Sequence, residues 1–162
     1  MMKRSYIKGL SFGLTSGIIT TLGMMIGLYS GTHSTLAVIG GVLIIAIADA
    51  LSDAFGVHIS EESDQKNSQK AVWEATFATF FSKLFFASTF IIPILLFSIK
   101  TAIWVGIGWG FLLLGAISFW MAKEHKEKIH SVVGEHWFIA ALVVTVSYLA
   151  GLGINRVFGN LS

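Results

Sequence analysis

Apolar and polar positions along the chain fall into five long apolar runs separated by short polar stretches. The runs cover about residues 9–29, 36–59, 71–99, 102–121 and 132–157. About 20 residues at 1.5 Å rise each cross the hydrocarbon of a bilayer. Each run is therefore long enough to span one, with some tilt. The breaks between them read as Ser30–Thr35 with His33, a solvated loop or helix extension at Glu61–Lys70, a tight turn at Lys100–Thr101, and the charged stretch Lys123–His130. The pattern predicts an all-α integral membrane protein, with five transmembrane helices in one domain over residues 1–162 and no low-complexity segment.

Lys and Arg placement orients it. The basic start (Lys3, Arg4, Lys8), Lys66 and Lys70, and Lys123, Lys126 and Lys128 fall on one side of a five-span arrangement, and only Lys100 and Arg156 on the other. The positive-inside rule then puts the N-terminus in the cytoplasm and the C-terminus outside or in a lumen. A basic start before an apolar run also occurs in signal peptides, but this run is longer than a signal core and no small-x-small site closes it. It reads as a retained first helix.

Composition narrows the picture. Hydrophobic residues make up 54% and charged residues 12%, against about a quarter charged in soluble domains. Cysteine is absent, which removes disulfides, thiolate metal sites and a Cys nucleophile. The net charge of +2 is too small to argue for a nucleic-acid partner. No phosphate-binding loop, GxSxG or HExxH sequence is present, and no catalytic residue is assigned: the chain does not read as an enzyme, nor as the holder of a permanently bound cofactor.

The candidate chemistry lies in polar groups inside the apolar runs. Asp49 and Asp53, four residues apart, share one helical face, with Ser52, Gly56 and Ser60 near the same stripe. Intramembrane acids usually face a bundle interior or a water path and act on ions or protons. Lys83 sits well inside the third run. The second and third runs join on the cytoplasmic side, and counting rise per residue places Asp49 and Lys83 at a similar depth, about 15–18 Å from it. The expectation is that Lys83 faces the interior and pairs with Asp49 or Asp53. Two readings stay open: a structural ion pair that only neutralises buried charge, or a site where a cation or proton displaces the lysine. Thr15, Ser16, Thr20 and Thr21 form a polar patch in the first run; such hydroxyls often bond back to their own helix. His58 lies five residues after Asp53, off its stripe. Glu61, Glu62 and Asp64 could collect cations at a cytoplasmic mouth. Glycines repeat every fourth residue at Gly9, Gly13 and Gly17, and again at Gly23, Gly27 and Gly31, a spacing that lets helix backbones approach closely.

Two of these segments resemble one family. GLTSGIITTLGMMIG, Gly13–Gly27, is similar to the first-helix signature of the vacuolar iron transporter family, G-x-x-D-G-x-x-T-T-x-G. ADALSDAFGVHISEES, Ala48–Ser63, resembles its second-helix signature A-L-S-M-x-x-G-E-Y-x-S, with Ala50, Leu51, Ser52, Gly56 and Ser60 in matching places. Ile91, Ile92 and Pro93 resemble the end of its third helix, and Tyr148 with Gly151 its fifth. The resemblance implies five spanning helices in a multi-pass protein of a cell or organelle membrane. It also implies a homodimer that moves ferrous iron, manganese or a similar divalent cation in exchange for protons. Departures from the signature are specific. Ser16 stands where the family has an Asp, Asp53 where it has Met, Val57 where it has Glu and His58 where it has Tyr. The long Glu-rich cytosolic insert is replaced by the short stretch Glu61–Lys70, so the chain reads as a short, divergent member. Asp49 and Lys83 lie outside the family pattern. The expected transport path is Asp53, Asp49, Ser16, Thr20, Lys83 and His58, with Asp53 and Asp49 as the metal ligands. Oxygen ligands of this kind favour harder ions than a thioether site would. The alternative expectation is a non-transporting membrane scaffold that kept the fold and lost the metal site.

Overall fold

A computed structural model of the chain describes residues 4–161; Lys3 of the basic start lies outside them. The described residues form five long helices and no strand. These are α1 (Arg4–Thr32), α2 (Thr35–Ser63), α3 (Gln69–Leu96), α4 (Ile99–His125) and α5 (Ile129–Phe158), each long and apolar enough to cross a membrane. A short 3-10 turn, Gly159–Leu161, follows.

The helices reach beyond the apolar runs at nearly every end, because charged and polar residues continue them. Arg4 to Lys8 already belongs to α1, and Glu61 and Glu62 still belong to α2. The α1–α2 turn is only His33 and Ser34. His33 takes a left-handed φ of 53°, and the Ser34 hydroxyl caps α2 by accepting from the Ala37 N–H at 3.2 Å. Ser68 caps α3 in the same way through the Ala71 N–H at 3.3 Å. The turn expected at Lys100–Thr101 lies earlier: Phe97 and Ser98 are extended, and Lys100 and Thr101 are inside the first turn of α4. Extended geometry at Ser98 opens a helix as an N-cap does, which moves the boundary upstream of the charge.

Two helices are irregular, for different reasons. In α3 the regular helix stops at Thr89 and restarts at Ile91. Thr89 carries the carbonyl that Pro93, four residues on, has no N–H to reach. In α2 the five residues Ile45–Asp49 form a π turn, with the Ala50 N–H bonded to the Ile45 carbonyl. Such a bulge inserts one residue into the helical register and turns the faces on its two sides relative to one another. It ends on Asp49.

Helix α1 is the centre of the bundle: 56% of its most apolar window is buried, against 11% for α5 at the periphery. The two glycine rows set its register. On the first, a Cβ at Gly9 would fall on the Ala75 carbonyl, and one at Gly13 on Ser82 and the Thr79 backbone, so α3 lies against α1 in parallel. The Thr79 hydroxyl crosses this seam to the Gly9 carbonyl at 3.1 Å. On the second row, Gly23 and Gly27 face Ser147 and Gly31 faces Gly151, placing α5 parallel on the other half of α1. Ser30 donates to the Tyr148 carbonyl at 3.1 Å there. Helix α4 packs antiparallel, with Met25 against Gly106 and Leu22 against Gly110. Leu14, Ile18, Leu22, Met25, Val38, Phe90 and Leu114 lie in the core between these seams. Met25 is a packing residue there.

Candidate functional site

The glycine seam between α1 and α3 brings Lys83 to its position. Gly17 leaves room for the lysine stem: a Cβ there would stand 3.1 Å from Lys83 Cγ and 3.2 Å from its Cα. The neighbouring Ser16 hydroxyl thereby meets the lysine tip. Lys83 has no exposed surface. Its Nζ lies 2.6 Å from Asp49 Oδ2 and also forms an ion pair with Asp53 Oδ2. It donates to Ser16 Oγ at 3.0 Å, and Ser16 Oγ in turn donates to Asp53 Oδ2 at 2.7 Å. Three oxygens from two helices thus converge on one ammonium from a third. Where the sequence allowed Lys83 either acid, the structure gives it both.

The geometry of α2 makes this double contact available. Asp49, the last residue of the π turn, and Asp53 are one turn apart, so both carboxylates project to the side of α2 that meets α3. Counted at formal charge, one ammonium and two carboxylates leave one uncompensated negative charge. A net charge in a dry interior costs several kcal/mol. Here the chain does not enclose the acids: the Asp49 side chain is 35% exposed and that of Asp53 22%, while Lys83 is sealed. Charge therefore sits on the open side of the cluster.

From Asp53 a groove of about 550 Å³ runs between α1 and α2, lined by Phe12, Ser52, Gly56, Val57 and Ser60, and reaching Lys8 and Glu61 at its far end. Gly56 has no neighbour within 4 Å of where a Cβ would stand, so small residues keep this side of α2 open. Lys8 and Glu61 pair across the end of the groove at 3.1 Å. The Asn67 side-chain amide holds Glu61 at its carbonyl and its carboxylate, both at 3.0 Å. Lys8 is half exposed, and exposed pairs contribute little. Lys8→Ala is accordingly expected to change unfolding stability by less than about 1 kcal/mol, as measured by denaturant titration in detergent.

Other residues expected on the path are placed elsewhere. His58 is not with the acids. Five residues past Asp53 is about 140° around the helix, and its ring packs on Trp73 at 4.6 Å and bonds Thr76 at 2.9 Å. Thr20 is tied to its own helix through the Ser16 carbonyl at 2.8 Å and lines the α1–α5 side instead. Of the three acids expected at the mouth, Glu61 alone lines the groove. Glu62 is exposed, and Asp64 closes a local turn by accepting from the Lys66 N–H at 3.1 Å. His136 of α5 bonds the buried Ser118 of α4 at 2.7 Å, a link between two helices away from the acids. Among the described residues no three His, Asp or Glu side chains converge; the cluster holds two carboxylates, a hydroxyl and an ammonium. The feature sequence reasoning missed is the π turn at Ile45–Asp49; the shared face of the two acids follows from their spacing.

No family model, curated protein or solved structure matches this chain.

Proposed function

We propose that the chain is a multi-pass membrane transporter of the vacuolar iron transporter type, which moves a divalent cation such as Fe²⁺ or Mn²⁺ in exchange for protons. The observation that carries this reading is the convergence of Asp49, Asp53 and Ser16 oxygens on Lys83, at the inner end of an open groove. Acids inside apolar helices are costly, and where they persist they mark ion and proton pathways. In this mechanism the acids carry either protons or the cation, and Lys83 keeps the empty site close to neutral.

Several features support a lipid setting. The outer face of α3 carries Trp73, Phe77, Phe81 and Phe85 at four-residue intervals, all about half exposed or more. A continuous apolar face of this kind is rare on soluble monomers and suits hydrocarbon. Arg4, Lys8, Lys66, Lys70, Lys123, Lys126 and Lys128 fall at one end of the bundle, a distribution that supports a cytoplasmic N-terminus through the positive-inside rule. In a homodimer the groove between α1 and α2, which reaches Asp53, would form one wall of the path.

A second reading is favoured by one observation, the complete burial of Lys83 among three partners. In that reading the cluster is a static ion pair and the protein is a membrane scaffold. Reconstitution in liposomes separates the two. Flux of Mn²⁺, Fe²⁺ or H⁺ by the wild type, reduced at least tenfold in Asp53→Ala, is the expected result. Absence of flux for all three ions in the wild type selects the scaffold.

A further inference from the structure

The group already sitting among the site's oxygens is a cation. Lys83 Nζ is within hydrogen-bond distance of Asp49 Oδ2, Asp53 Oδ2 and Ser16 Oγ, the oxygen set a hard metal ion would use. It is a tethered charge, delivered from α3 through a stem that Gly17 admits. It has no exposed surface, whereas both carboxylates are partly exposed, and Asp53 lines the groove. An ion arriving through the groove therefore meets Asp53 first and the ammonium behind it.

We infer that Lys83 is the specificity-determining residue of this site: its ammonium occupies the cation position, so a divalent ion gains full access to Asp49 and Asp53 only by displacing it. This rests on the reading of the cluster as a cation site. The charge count gives the reason. With the ammonium in place the two acids offer one net negative charge, which one monovalent charge balances. A divalent ion added to that arrangement leaves one excess positive charge in a poorly solvated interior. With the ammonium gone, two carboxylates and one divalent ion are neutral. Electrostatic attraction and space at the oxygens change in the same direction, so removing one side chain has a large effect on divalent binding.

The test is Mn²⁺ binding to purified protein in detergent, read from loss of the free-ion electron paramagnetic resonance signal. Lys83→Met keeps the stem and deletes the charge. It is expected to bind one Mn²⁺ at least tenfold more tightly than the wild type, and Lys83→Met with Asp53→Asn is expected to lose that gain. Equal binding by wild type and Lys83→Met overturns the inference, and so does a gain that survives Asp53→Asn. Removing the ammonium leaves two acids face to face, so Lys83→Gln, which retains a donor, is examined beside it. If neither variant folds without metal, folding restored by Mn²⁺ supports the inference. Failure to fold at any Mn²⁺ or Mg²⁺ concentration overturns it, because no cation then replaces the ammonium. Binding is measured without a membrane. A gain in Lys83→Met alongside a wild type that moves no ion in liposomes removes the transport reading and keeps this one; wild-type flux with no gain does the reverse.

Discussion

Lys83→Met, in the absence of divalent metal, is expected to lose about 1–3 kcal/mol of unfolding stability, less than for a fully buried pair because the stranded acids are partly exposed. The loss arises because Asp49 and Asp53 both direct Oδ2 at the missing ammonium. Ser16, which donates to Asp53, satisfies only one of the two acids. The pair itself need not be a large net stabiliser, since desolvating three charged groups offsets most of their attraction. That asymmetry yields a sharper comparison. Replacing the whole cluster with apolar residues, Lys83→Met with Asp49→Leu and Asp53→Leu, is expected to recover most of the loss. Denaturant unfolding in detergent, followed by circular dichroism, measures both variants. If the triple variant is no more stable than Lys83→Met alone, the charge argument fails.

Gly13→Leu is expected to disrupt the bundle by at least about 3 kcal/mol, the upper part of the range for overpacked cores. A Cβ at Gly13 would already fall on the Ser82 side chain and the Thr79 backbone. Backbone cannot swing aside, so α3 must retreat from α1 along its length. The Thr79 to Gly9 hydrogen bond of 3.1 Å crosses the same seam and would be lost with it. Lys83 rides on α3, so the ammonium would also leave Ser16. Gly40→Ala is the control. No atom stands within 4 Å of a Cβ there, and alanine favours the helix by up to about 1 kcal/mol. It is expected to be neutral or slightly stabilising. Equal effects at Gly13 and Gly40 in the same unfolding assay would refute the seam.

Much of the architecture can be read from the chain, and the reason is physical. Apolar runs of spanning length admit few local structures other than helix, and a five-residue link such as Asp64–Ser68 forces α2 and α3 to lie side by side. Depth then follows from rise per residue, which brings Lys83 level with Asp49. Helix ends are less legible. Arg4–Lys8 and Glu61–Ser63 are polar yet helical, because hydropathy reports burial rather than backbone geometry. The π turn at Ile45–Asp49 contains neither Pro nor Gly, so no local residue announces it; it emerges from how α2 packs. Sequence proximity groups Thr20 and His58 with the acids, Thr20 at a matching position of the resembling signature and His58 where the signature has Tyr. Their side chains instead follow the helical angle, one to its own carbonyls and one to α3. Ser16 is the opposite case. A hydroxyl at a position where the signature has an acid is ambiguous until α3 supplies a partner on one side and α2 on the other.

Cysteine accessibility tests the central claim, that an acid-bearing helix lies within the bilayer behind a water-filled groove. The chain has no native cysteine, so single replacements report without background. Cysteines at Ser60, Gly56 and Ser52 follow the groove toward Asp53, and those at Ile59, Phe55 and Leu51 lie on exposed apolar positions of α2. In liposomes, a membrane-impermeant thiol reagent added on the side of the N-terminus is predicted to label the first three and to leave the second three unmodified. Labelling of Ile59, Phe55 and Leu51 as fast as the groove positions would mean that water surrounds α2, contradicting the account.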